Sequence, residues 1–150
     1  MGQLAFKLPE IDREATRKRV EEALETCLLY EQIGFHPGHE AKVTPGYSET
    51  PPSNTNAFHS STEDVAQKNV DTELHRQLHV KKVRLAVYRL GRKEREVIEK
   101  RYLTDPDMTD YETYHGLHMS ERTYYRIKGR AFYKLAFALK LEVIKEPDQT

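Results

Sequence analysis

Apolar residues recur at three- and four-residue steps along most of this chain, the period of a helix that buries one side. Between Ile11 and Ile33 they fall at Ala15, Val20, Ala23, Leu24, Cys27 and Leu28. This predicts an amphipathic helix. Pro9 suits its first turn, Glu10 and Asp12 suit the positive end of its dipole, and Gly34 and Pro37 stop it. From Gly34 to Ser60 the period vanishes. Pro37, Gly38, Pro45, Gly46, Pro51 and Pro52 stand among Ser, Thr and Asn residues, and such a stretch has too little apolar surface to fold on its own. A second helix is expected from Ser61 to Leu90, with Ser60 and Glu63 at capping-box spacing. Val70, Leu74, Leu78 and Leu85 form its seam, to be packed on another helix of this chain or of a partner, and Gly91 ends it.

Three shorter helical patterns follow. The first runs from Arg92 to Tyr102, with Val97, Ile98 and Tyr102 on one side, and Asp105-Pro106 makes a turn. Thr109 or Asp107 can cap the second, about Asp110 to Gly116. After Gly116-Leu117-His118-Met119, Ser120 caps a long final helix with Glu121 in its first turn. The predicted class is all-α: an N-terminal helix (1–33), a linker (34–60), a connecting helix (61–90), a helical C-terminal domain (91–141) and a tail (142–150). A long unstructured connection inside one compact domain is unusual, which predicts that the first helix is an arm outside the core. It can dimerise through Val20, Leu24 and Cys27, or dock on the Ser61–Leu90 helix.

On the final helix, steps of about 100° per residue gather Tyr124, Ile127, Ala131, Leu135 and Ala138 on one face. Arg122, Arg126, Gly129 and Tyr133 occupy the opposite face, flanked by Thr123 and Arg130. A short helix and tight turn ahead of a helix that is greasy on one side and arginine-bearing on the other is the geometry of a helix-turn-helix. Periodicity alone is also compatible with a bundle helix whose arginines are merely solvated. In the DNA reading, Arg122 and Arg126 contact bases, because a guanidinium fork matches O6 and N7 of guanine. Thr123 and Tyr125 join them in the base-contacting set, Tyr125 by touching a thymine methyl or a phosphate. Ser120 with the free N–H groups of the helix start, Lys128, Arg130 and Lys134 are assigned to phosphates. Gly129, on the exposed face, is costly in a helix and fits either a close DNA approach or neutral drift.

Charge sharpens this picture. The chain has 24 basic and 24 acidic residues, yet His75 to Leu141 holds sixteen basic and eight acidic ones. A basic half within a neutral chain is the electrostatic footprint of a nucleic-acid binder. No apolar run suits a membrane, and Met1 to Lys7 turns polar too early for a signal peptide. Phe6 stands where a myristoylation motif requires Ser or Thr. A lone Cys27 cannot form an internal disulfide and suits packing in a reducing compartment. His36 and His39, His75 and His79, and His115 and His118 have ligand-like spacing, but no cysteine or carboxylate completes a set, so neither metal nor cofactor is expected. His75 and His79 are expected in solvent or near phosphate. The chain shows no phosphate loop, nucleophile elbow or other catalytic constellation, and no enzymatic activity is expected.

Ser120 to Leu135 (S-E-R-T-Y-Y-R-I-K-G-R-A-F-Y-K-L) resembles the recognition helix of the promoter-reading C-terminal domain of bacterial sigma factors, with apolar positions coinciding at Tyr124, Ile127, Ala131, Phe132 and Leu135. Leu90 to Tyr102 is similar to the helix that opens that domain. The chain as a whole resembles the ArpU family of phage transcriptional regulators. That family pairs a segment like Leu8 to Glu21 with a Ser-rich linker, a junction like Phe58 to Asp64 and the same C-terminal pattern. Two positions depart from the sigma pattern. His118 stands at a turn position that is usually glycine, and Tyr114 stands where a small residue is usual and should push the two helices apart. The resemblance implies double-stranded DNA as partner, control of phage late genes as an activator working with host RNA polymerase, and a site in the bacterial cytoplasm. A small terminase subunit for DNA packaging and a polymerase-binding module are the alternatives, and a homo-oligomer suits each.

Overall fold

A computed structural model describes residues 10–34 and 61–146 of the protein. Five helices follow one another: α1 (Arg13–Gly34), α2 (Ser61–Tyr88), α3 (Arg92–Tyr102), α4 (Asp110–Gly116) and α5 (Glu121–Ala138). The architecture is all-α, and among the described residues there is no strand beyond an isolated antiparallel bridge between Ile11 and Ile144. No described helix is long and apolar enough to cross a membrane. Pro9, the linker expected after Gly34, the Ser60 cap and the His36–His39 pair lie outside the described residues.

Local chemistry sets the ends of the helices. Asp12 caps α1, its Oδ1 accepting from the N–H groups of Glu14 and Ala15 at 3.1 Å each. Glu94 folds back onto the N–H of Gly91 at the start of α3. Thr109 and Glu112 form a reciprocal capping box on α4. Asp105 holds the preceding turn by accepting from the N–H of Asp107. The exit of α5 is a Schellman motif. Lys140 takes a positive φ of 54°, and the N–H of Leu141 donates to the carbonyl of Ala136 at 2.8 Å.

One core joins α1, α2, α3 and α5. Val20, Leu24 and Cys27 of α1 are fully buried against Val83 and Val87 of α2, Leu90 just beyond it, Ile98 and Tyr102 of α3, and Ala131, Phe132 and Leu135 of α5. The expectation of an N-terminal arm is therefore corrected: α1 docks within the chain. Polar ties reinforce it. Arg84 grips both carboxylate oxygens of Glu31 at 2.6 Å, and the Tyr102 hydroxyl donates to Glu21 at 2.8 Å. The C-terminal segment returns to the start of α1, where Val143 N–H donates to Thr16 Oγ1 and Asp12 N–H to the Val143 carbonyl. A long connection does not keep α1 out of the core, because closure entropy grows only logarithmically, about 0.6 kcal/mol per doubling. A buried Val or Leu side chain offsets more than that, at about 1.5–3 kcal/mol.

The seam expected on α2 does not pack on another helix of this chain. Val70, Leu74, Leu78 and Leu85 are 48–65% exposed, and the helix is held instead through Val83, Ala86, Val87 and Leu90. Stepping about 100° per residue puts the two sets roughly 170° apart around the axis. Helix α2 thus has two apolar faces, and the core covers only one.

Candidate nucleic-acid interface

Helices α4 and α5 are joined by a tight turn whose geometry follows from its residues. The N–H of His118 donates to the carbonyl of His115 at 3.2 Å, and the N–H of Met119 to the carbonyl of Tyr114 at 2.9 Å. His118 takes a positive φ of 54°, the left-handed conformation expected where a glycine is usual. Ser120 then caps α5, its Oγ accepting from the Thr123 N–H at 3.2 Å. A small apolar cluster beneath the turn sets the tilt of α5. Val97 of α3 meets Tyr124 and Ile127 of α5, with Tyr114, Leu117 and Met119 closing over them. The Tyr114 ring finds space there, 5.5 Å from the ring of Tyr124.

A polar hub secures the same joint. Asp110, the first residue of α4, accepts from Arg101 Nε of α3 at 3.0 Å, from the Tyr124 hydroxyl at 2.5 Å and from Lys128 Nζ of α5 at 3.0 Å. Burial alone would raise the Asp110 carboxyl. The Tyr124 and Lys128 hydrogen bonds and the Lys128 and Arg101 charges outweigh it and hold the group below the usual carboxylate range. Burial, followed by the bond to Asp110, pushes the Tyr124 phenol up. The ammonium of Lys128 also lies 5.2 Å from the Tyr102 ring centroid and 5.5 Å from that of Phe132.

The assigned DNA-contacting residues consequently divide. Arg122, Arg126 and Arg130 are exposed, and among the described residues none of them forms an ion pair. Tyr125 is 46% exposed beside them, Thr123 is half-buried under the cap and Ser120 is exposed at the helix start. Gly129 leaves open space, with no neighbour within 4 Å of where a Cβ would stand. Lys128 is a correction. It is only 5% exposed, with its charge turned inward onto Asp110, so it cannot reach a phosphate as placed. Lys134 is half exposed but grips both oxygens of the buried Glu94 at 2.9 Å, so a phosphate would have to compete with that carboxylate. For Glu94, burial is again outweighed by Lys134 and the Gly91 N–H, and its carboxyl is held low.

His79 is another correction. It is not a solvated or phosphate-facing histidine: its Nε2 lies 3.0 Å from the Ala23 carbonyl and its ring packs edge-on against Tyr30. Residue-type reasoning missed two side chains, Asp110 as the hub and Lys100, whose ammonium end lies against Gly116 at the end of α4. Lys128 was discoverable. The same angular stepping puts it about 40° from Tyr124, inside the buried arc.

The chain is similar to phage-related protein Lin1259/Lin1739 of Listeria innocua, at 31% identity over 93% of this chain and 97% of that protein. The chain belongs to this family of phage-related proteins. Protein Gp66 of Listeria phage A118 is 30% identical over 96% of this chain and 99% of its own length. The phage-related relationship thus spans α1 to α5 rather than the α4–α5 unit alone. No protein-family model and no solved structure matches.

Proposed function

We propose that this phage-related protein is a non-enzymatic, sequence-specific regulator of phage or prophage genes. In this reading α4, the turn and α5 are a sigma-like helix-turn-helix of the ArpU kind. Helix α5 enters the major groove of double-stranded DNA in the host cytoplasm. Arg122 and Arg126 contact guanine, bordered by Thr123 and Tyr125. Arg130, with Ser120 and the helix-start N–H groups, holds phosphates, and Lys134 joins them only by leaving Glu94. The protein activates late genes together with host RNA polymerase.

One observation carries the reading. Three arginines line the open face of a helix whose opposite face is pinned by Val97, the Thr109-capped α4 and the Asp110 hub, so their side chains project from a rigid support.

Fluorescence anisotropy with phage promoter fragments tests it. Binding is expected to weaken steeply with salt, as phosphate contacts release counterions. Arg126→Ala should lower affinity for the cognate site by about 10- to 100-fold and relax base preference, an effect of about 1–3 kcal/mol. Unchanged affinity of that variant would overturn the assignment of α5. Binding confined to a packaging site would point to a terminase role instead.

A further inference from the structure

Helix α2 carries an apolar face that the core does not use. Val70, Leu74, Leu78 and Leu85 are 65, 54, 48 and 48% exposed, and none belongs to either apolar cluster of the described residues. They share an arc of about 80° at steps of four, four and seven residues. That is the seam of a helix paired with another helix. Apolar residues scattered singly over a surface need no partner, but four aligned along one helix face mark an interaction surface.

We propose that this stripe is a homodimer contact in which α2 of one copy packs antiparallel on α2 of a second. The charges around the seam select both occupant and direction. Asp71 and Lys82 lie on the same flank of α2, at opposite ends of the stripe, while Glu73 lies on the other flank and Lys81 within the arc. In an antiparallel pair each flank faces the same flank of its mate. With the two-fold axis near Gln77, Leu74 and Leu78 interleave with their counterparts and Val70 lies toward Leu85. Asp71 of each copy then lies toward Lys82 of the other, and Glu73 toward Lys81. A parallel pair instead stacks Lys81 on Lys81 and sets Asp71 beside Glu73, like charge on like. The surface is thus self-complementary in the sense a two-fold interface requires. The core packing of α2 through Val83, Val87 and Leu90 is on the opposite side and stays intact in the dimer.

The contact is tested on the full chain without DNA, by sedimentation equilibrium at up to about 0.1 mM, above the micromolar dissociation constants of modest interfaces. The parent is expected at twice the mass of one chain. Leu78→Glu should raise the dimer dissociation constant about 30-fold or more. Its melting at low concentration should match the monomeric parent, because Leu78 is half exposed there. Asp71→Lys and Lys82→Asp should each weaken the dimer, and the two together should restore it. A parent that stays monomeric, or a dimer that ignores Leu78→Glu, overturns the interface. A dimer that Leu78→Glu dissociates but the double reversal fails to restore overturns the antiparallel pairing. Because no DNA is present, loss of the proposed DNA reading leaves these masses unchanged.

Discussion

Lysine and arginine part company on α5. Lys128 sits in the arc that faces the core, where its charge is met by Asp110 and by aromatic faces, while Arg130 projects outward. Lys128→Met should lower stability by about 1–3 kcal/mol, since Arg101 and Tyr124 still serve Asp110 while one buried pair is broken. It should leave the salt dependence of DNA binding unchanged. Arg130→Ala should do the reverse, keeping the melting temperature and reducing the log–log salt slope by about one. Thermal melts and binding titrations on both variants check this. His118 makes a separate case. Its φ of 54° costs an L-residue about 1 kcal/mol, part of which glycine returns through a freer unfolded chain. His118→Gly should raise the melting temperature by about 1–2 °C. A fall would mean that the imidazole makes a contact of its own. Cys27 is inert by burial, then by the nearby Glu31 charge, which push its thiol up to about 11.

The joint between α3, α4 and α5 decides how the arginine face is presented. Two carboxylates secure it, Asp110 on Arg101, Tyr124 and Lys128, and Glu94 on Lys134. Both are held below their ordinary values of 3.8 and 4.5, burial being outweighed by these cations and hydrogen bonds. The sign follows directly. As pH falls, the unfolded chain takes up these protons before the folded one does, so acid favours unfolding. Their contribution is complete above the ordinary carboxylate values and disappears as pH falls through the lower folded ones. Urea melts from pH 6 to pH 3 should show stability dropping below about pH 4.5. In Asp110→Asn that drop should be smaller, from a lower starting stability. An equally steep drop in the variant would place the acid sensitivity elsewhere.

Across the whole molecule α1 and the C-terminal segment complete a core that the C-terminal half cannot close alone. Deleting residues 1–34 uncovers Val83, Val87, Ile98 and Leu135 together. The truncated chain is expected to lose cooperative thermal unfolding and to bind a hydrophobic dye, as followed by circular dichroism and fluorescence. A cooperative melt close to that of the parent would show the C-terminal helices to be independent. The five helices were legible in the sequence because period and capping act within a few residues: Thr109 with Glu112, Ser120 with Thr123, and the steps from Val20 to Leu28 need no distant partner. The arginine face of α5 was legible for the same reason. What the sequence could not supply was choice of partner. Helix α2 has two apolar faces of similar strength, and periodicity marked the one that stays open. Lys128 looks like any surface lysine until Asp110 arrives from another helix. Local hydrogen bonds and side-chain spacing determine that these segments are helices. Only the shared burial of α1, α2, α3 and α5 decides which face of each turns inward, because that depends on groups far apart in the chain meeting at once.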